Sequence, residues 1–335
     1  MARTIDDAKN KKKDEFYTQL TDIEKELKFY KTFFKEKIIY CNCDNPYKSN
    51  FVRYFIRNFN AFRLKKLIAT CYNEDITIRT ESTIDFEKKG ERTQTHALKV
   101  EITTVNETLN IEGEFNLKHF FQNNKNTVSL LKGNGDFRSS ECIEILKESD
   151  IIITNPPFSL FREFVSLLMK HSKKFIILGN INAVTYKEIF PLIKSNKIWF
   201  GPSISSGDRL FNVPDYYEIR ASKCGIDEKG RKYIRVKGVR WFTNLSHIKR
   251  HFKLDLVLSF SQKKYLQYDN YDAININKTQ EIPYDYKGVM GVPITFLDKY
   301  NPEQFEIIGF RKGIDNKDLR INGKCPYFRI LIRKL

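Results

Sequence analysis

The sequence predicts an α/β fold built on a mostly parallel sheet. Three features carry the prediction. Short, nearly all-apolar runs recur between residues 37 and 183, the pattern of strands buried on both faces. Segments with helical apolar spacing lie between those runs. Each run also stops abruptly in turn residues, so strand, loop and helix alternate as in parallel crossover units.

Residues 1–14 are polar and lysine-rich and are expected to fray. "DEFYTQLTDIEKELKFYKTFFKEK" carries apolar residues at 16, 20, 23, 27, 30 and 34, one helical face. "KIIYCNCDNP" (37–46) is a buried strand running into a loop. "SNFVRYFIRNF" (49–59) opens on a good N-cap and continues with helical spacing. "LKKLIATCY" (64–72) is the next strand. Residues 73–127 are irregular except for the alternating "LKVEITTV" (98–105), read as a surface β-hairpin insertion. "TVSLLKGNGDF" (127–137) is a strand ending in a Gly-rich turn, "SECIEILKES" (140–149) a helix, and "DIIITNPP" (150–157) a strand. "LFREFVSLLMK" (160–170) is an amphipathic helix with Ser159 placed to cap it, and "KKFIILGNINA" (173–183) is a further strand. Beyond about residue 200 the alternation fades into loopy, basic, aromatic sequence, and the last fifty residues return to strand-like and helical patterns. In parallel sheets ligands sit beyond the carboxyl ends of the strands. The loops at 41–46, 71–75, 133–137 and 154–158 all lie at such ends.

The chain has 335 residues, 41% of them hydrophobic and 14% aromatic, enough for a sizeable core in one large domain or two modest ones. No apolar run reaches the roughly 18 residues of a membrane helix. The start has no apolar stretch behind its charges, so a secretory signal is not expected; the expected compartment is the cytoplasm. The 58 Lys and Arg against 41 Asp and Glu give a formal net charge of +17, which favours a polyanionic partner such as nucleic acid. The cysteines, at 41, 43, 71, 142, 224 and 325, lack the paired spacing of a zinc site. Neither a metal nor a disulfide is expected.

"TNPPF" raises the sharpest question. Two prolines fix two φ angles and remove two N–H donors, so Pro156 presents a carbonyl with little freedom, and Asn155 offers a second on its side chain. Rigid acceptors beside an aromatic plane would grip a flat group bearing an NH2, such as adenine. If both N6–H bonds point at carbonyls, the nitrogen is drawn toward tetrahedral geometry and its lone pair toward an incoming electrophile. Phe158 can stack on the base, and the protein then supplies positioning and electrostatics. From average residue usage, a [DNS]-P-P-[FYW] string arises by chance in roughly one in a hundred chains of this length.

The motif resembles the catalytic loop of adenine-N6 methyltransferases that use S-adenosylmethionine. "DEFYTQ", "YCNCD", "LKKLIATCY", "GDFRSSE", "TNPPFSLFRE", "YDNYDAIN", "GVMGVPITFL" and "INGKCPYFRILI" resemble, in order, the EcoRI-type modification methyltransferases. The likeness spans nearly the whole chain and thins over 75–125 and 200–250. It implies a Rossmann-like S-adenosylmethionine-dependent methyltransferase fold with a smaller DNA-recognition region in the C-terminal half. On that plan residues 15–200 bind cofactor and carry catalysis, with 73–127 as an insertion. Residues 200–285 recognise the target, and 286–335 return to the core.

The resemblance also implies roles. Asn155 and Pro156 accept from adenine N6, Pro157 stiffens the corner and Phe158 stacks on the flipped base. Asp136 and Phe137 bind the adenine of S-adenosylmethionine, and Asn155 borders the cofactor. Tyr17 and Thr18 close over its methionine end. The first-strand loop lacks the family's glycines, so Cys41, Asn42 and Asp44 are placed near the cofactor with the actual contact left open. The acidic residue expected after the second strand comes late, at Glu74 and Asp75, so Cys71 and Tyr72 are placed in the pocket instead.

A duplex hides N6 from any pocket, so the base must be extruded. Basic loops would hold phosphates while other contacts read bases. Arg209, Arg231, Lys232, Arg235, Lys237 and Arg240 are the candidates. The likeness suggests GAATTC as target. The chain is expected to act as a monomer, too short to hold a nuclease as well; a cognate restriction endonuclease would be a separate protein that need not touch it. The same loop serves enzymes that methylate RNA bases or a protein glutamine amide, and that alternative stays open at this point.

Overall fold

The computed structural model describes residues 16–43, 45–72, 97–105, 120, 127–213, 224–228 and 230–335. It divides into two compact units, Met1–Leu178 with Asp208–Val236, and Gly179–Gly207 with Lys237–Leu335.

The first unit begins with β1 (Tyr17–Thr18) and α1 (Leu20–Leu27), followed by β2 (Ile38–Cys41), α2 (Asn50–Asn58) and β3 (Lys66–Thr70). Then come β4 (Leu98–Ile102), β5 (Thr127–Leu130), α3 (Ser140–Glu148), β6 (Ile151–Thr154), α4 (Phe161–Lys170) and β7 (Lys174–Asn180). The chain passes through α5 (Phe190–Lys194) and β8 (Trp199–Phe200) of the second unit. It then returns with β9 (Arg209–Asn212), β10 (Cys224–Ile226) and β11 (Lys232–Val236).

The core strands run β5-β4-β3-β2-β6-β7. β3, β2, β6 and β7 pair in parallel, and β2 and β6 are wholly buried, which is why their sequences are apolar without alternation. Helix α2 fits its expected start: Ser49 Oγ accepts from the Phe51 and Val52 amides at 3.2 and 3.4 Å. Its buried Phe51, Val52, Phe55 and Ile56 each contribute about 1.5–3 kcal/mol by leaving water.

Three local expectations are corrected. The helix read from residue 16 onward starts at Leu20, because Tyr17 and Thr18 are a strand paired antiparallel with Asn212 and Phe211; backbone pairing overrides the local apolar period. Residues 98–102 are not a surface hairpin. They pair antiparallel with β3 on one side and β5 on the other, with Leu98, Val100 and Ile102 buried. Ser159 does not cap α4: the two prolines lead into a 3-10 turn over Phe158–Leu160, and Leu160 is the N-cap with no side-chain cap bond.

Because β4 runs back and β5 returns, β5 points the same way as β3. The loops after β2, β3, β5 and β6 therefore share one edge of the sheet. Gly135 shows how tightly they meet. Its φ is +75°, and a Cβ there would lie 2.0 Å from the Cys71 carbonyl oxygen, so only glycine fits this turn against the end of β3.

The second unit holds the antiparallel pair of β8 with β12 (Val239–Thr243). It also holds a mixed sheet of β13 (Gln267–Tyr268), β14 (Tyr271–Asn275), β15 (Val289–Pro293), β16 (Phe305–Phe310) and β17 (Arg329–Lys334), ordered β13-β14-β15-β17-β16. Its core contains an ion pair. The Arg240 guanidinium forks onto Asp298 at 2.6 and 2.9 Å and also donates to the Val239 and Ser205 carbonyls. Burial lifts the Asp298 carboxyl against the pull of Arg240.

His247 is buried nearby in sequence, and its Nε2–H donates to the Phe200 carbonyl at 2.9 Å. Burial pushes the imidazole down to about 4. A folded-state value below the unfolded one places the stabilising contribution above about pH 6.5, with loss as pH falls through about 4. Between about pH 7 and pH 4.5 this residue should cost the fold roughly 2–3 kcal/mol. Urea unfolding at both pH values checks it, and His247→Gln should remove most of the difference. An equal acid loss in that variant would reassign the effect to another group.

The cysteines at 41, 43, 71, 142, 224 and 325 are not joined in disulfides. Among the described residues no helix is long and apolar enough to cross a membrane.

Candidate active site

The catalytic-loop candidate leaves β6 at the shared edge. Asn155 is buried, 6% exposed, and its Nδ2 donates to the Phe16 carbonyl at 2.6 Å. That bond decides the side chain's orientation, since a carbonyl can only accept. Asn155 Oδ1 is left buried without a hydrogen-bond partner among the described residues. An unsatisfied buried acceptor costs about 1–3 kcal/mol, so the fold itself bears the desolvation an incoming N–H would otherwise impose. Pro156 is buried and Pro157 partly so; the Pro157 carbonyl accepts from the Leu160 amide at 3.0 Å. Phe158 is half-buried, and the Phe16 ring stands edge-on to it, centroids 6.4 Å apart. Thr154 Oγ donates to the Asn42 carbonyl, tying this loop to the one after β2.

The expected cofactor residues gather at the same edge. Cys41, Asn42 and Cys71 are buried at 0, 3 and 2% exposure; Asp44 lies outside the described residues. Asn42 Oδ1 and Thr18 Oγ1 are buried with no hydrogen-bond partner among the described residues, and so is Asn45 Nδ2. Asn45 was missed from sequence; its Oδ1 accepts from the Tyr47 amide at 3.0 Å, shaping the turn before α2. Tyr72 is partly exposed, and its hydroxyl receives Asn134 Nδ2 at 3.5 Å. Asn134 Oδ1 in turn accepts from the Asp136 amide at 3.1 Å.

Two residues sit differently from their simplest reading. Asp136 is already engaged: Arg138 Nε and Nη2 donate to its two oxygens at 2.9 and 2.7 Å, and the Arg138 amide adds a third bond at 2.8 Å. These bonds hold the carboxyl below its usual range. Arg138 also reaches Glu163 on α4 at 2.8 Å. Phe137 is 5% exposed, with its ring edge-on to Phe164 at 5.1 Å and the Arg138 guanidinium 5.3 Å from its centroid. Most of that ring is spent on packing.

Buried, unpartnered acceptors on rigid loops beside a half-buried aromatic ring can hold a flat amino-bearing base next to an electrophile. Similarity points the same way. A profile of the family described as "Adenine-specific methyltransferase EcoRI" matches residues 4–335. The chain belongs to this family. As an adenine-specific methyltransferase it is 49% identical to "Type II methyltransferase M.EcoRI" of Escherichia coli, over 97% of this chain and 94% of that one. It is also 36% identical to "Type II methyltransferase M.MgeORF184P" of Mycoplasma genitalium, covering 98% and 97%. To "Type II methyltransferase M.MpnI" of Mycoplasma pneumoniae it is 38% identical, covering 90% and 83%. No solved structure matches it significantly.

The expected DNA contacts of this methyltransferase separate by placement. Arg209, Lys232 and Arg235 stand on β9 and β11, which pair antiparallel. Phe211 and Ile234, on one face of that sheet, are buried. The other face carries Arg235, which is exposed and pairs with Leu210. Arg231 is exposed and bound to Asp227 at 2.8–2.9 Å, and Lys237 is exposed. Arg240 drops out as a phosphate contact: it is 4% exposed and committed to Asp298.

Proposed function

We propose that this adenine-specific methyltransferase is a site-specific DNA enzyme, moving a methyl group from S-adenosylmethionine to N6 of an adenine extruded from duplex DNA. The observation that carries it is the amide of Asn155, whose Nδ2 is held by the Phe16 carbonyl and whose buried Oδ1 has no partner among the described residues.

The residues at the strand ends fit the cofactor by their chemistry. The unpartnered Thr18 and Asn42 oxygens suit donors on its ribose and amino groups, and Asn45 Nδ2 suits a carboxylate. Tyr17, Cys41, Cys71, Tyr72 and the Asn134–Asp136 turn would line the rest. When bound, S-adenosylmethionine supplies a methyl carbon activated by its sulfonium. The protein's own work is to hold the nucleophile. Asn155 Oδ1 and the Pro156 carbonyl accept the two N6–H bonds, turn the lone pair out of conjugation and stabilise the positive charge that grows on nitrogen. Phe158 stacks on the base.

The excess of positive charge offsets the cost of extrusion through phosphate contacts. Arg235, with Arg209, Arg231, Lys232 and Lys237, belongs to the recognition region of this reading. A modification role follows, protecting host DNA in the bacterial cytoplasm against a separate cognate endonuclease. The test is methyl transfer to duplex DNA containing GAATTC, compared with tRNA and a glutamine-bearing peptide, with 2-aminopurine at the target position. N6-methyladenine in the duplex and a rise in fluorescence on binding are expected. Transfer to RNA or peptide alone would overturn the DNA assignment.

A further inference from the structure

Phe16 belongs to none of the roles drawn so far, yet it touches the catalytic loop twice. Its carbonyl takes Asn155 Nδ2 at 2.6 Å, and its ring meets Phe158 edge-on at 6.4 Å. Behind it stands Phe211 of β9, 1% exposed, with ring centroids 5.8 Å apart and planes at 45°. The residue is itself held in place. It precedes β1, where Tyr17 and Thr18 pair with Asn212 and Phe211. Gln19 Nε2 donates to Asn212 Oδ1 at 2.7 Å, and Asn50 Nδ2 donates to the Thr18 carbonyl at 2.7 Å. A strand of two residues is thus pinned along its ladder and at its C-terminal end, and the group just before it faces the two side chains that must grip the base.

We propose that Phe16, backed by Phe211, is a positioning residue for methyl transfer. Its carbonyl takes the Asn155 Nδ2 and so leaves Oδ1 for the base, and its ring sets the plane on which Phe158 receives the adenine. The inference rests on the reading of Asn155 and Phe158 given above. Edge-to-face contacts hold ring planes against rotation, and misplacing a reacting group by about 1 Å can cost about 10²-fold in rate. A residue acting this way changes the chemical step more than binding.

The experiment measures single-turnover methyl transfer, cofactor affinity and duplex affinity for the parent chain and for Phe16→Ala, Phe158→Ala and the double variant. Phe16→Ala should slow transfer about 10–100-fold while both affinities stay within about threefold. In the Phe158→Ala background the same change should cost little, because the two rings act through one contact. The idea is overturned if the Phe16→Ala rate equals the parent's or if the loss lies wholly in cofactor affinity. It is overturned equally if the two single losses multiply. Should Phe16→Ala fail to fold, Phe16→Leu carries the same comparison. Absence of transfer by the parent chain would instead strike the methyltransferase reading, so the two failures are distinct.

Discussion

Asn155→Ala is expected to reduce methyl transfer by at least about 10²–10³-fold, the usual loss when one preorganised electrostatic contact to a transition state is removed. The rest of the site argues for a loss in rate rather than in binding. The Thr18, Asn42 and Asn45 side chains are untouched by the change, and the Phe16 carbonyl merely loses its donor. Cofactor affinity should therefore stay within about threefold of the parent, since only contacts that strengthen in the transition state accelerate the chemical step. Single-turnover transfer and isothermal titration separate the two quantities. Asn155→Asp sharpens the test. It keeps an acceptor but has no Nδ2–H for Phe16, and it sets a carboxylate against a carbonyl. If Asp restored the parent rate, the orientation argument would fail even with alanine inactive.

The second large effect concerns stability. Arg240 and Asp298 have side chains 4% and 6% exposed. Arg240→Met should cost about 3–5 kcal/mol, because it strands a buried carboxylate. The double variant Arg240→Met, Asp298→Leu should recover most of that loss, since apolar replacement of a whole buried pair is often neutral or stabilising. Urea unfolding at neutral pH reads both. Duplex affinity per folded molecule should be unchanged in the double variant. A stability loss under about 1 kcal/mol, or a duplex affinity that collapses while the fold survives, would return Arg240 to the DNA surface.

The sheet was legible where burial on both faces left a continuous apolar run, as in "IIYC" and "IIIT". The abrupt stop after β6 was legible because asparagine and proline act locally. β1 was not legible: its two residues sit inside a segment with helical apolar spacing, and its partner lies nearly two hundred residues away. The direction of β4 was hidden as well. The alternation "LKVEI" shows one covered face but does not say which strand lies beside it. Arg240 misled because "KGVRWF" looks basic and exposed, whereas its counter-charge lies 58 residues further on. Phe16 stood next to Tyr17 and Thr18 in the quoted "FYTQ", but its two contacts, a backbone oxygen on Asn155 and a ring edge on Phe158, depend on where β1 lies, which no residue type announces.

The reversal through β4 has a practical consequence. Ile102 pairs with Leu67, and Thr127 pairs with Glu101, so the chain leaves β4 and enters β5 at the edge opposite the loops after β2, β3, β5 and β6. A fluorescent protein, an affinity handle or a programmable targeting module spliced at residues 103–105, directly after β4, would leave the sheet at that far edge. Substrate access and a fused cargo could then be engineered independently.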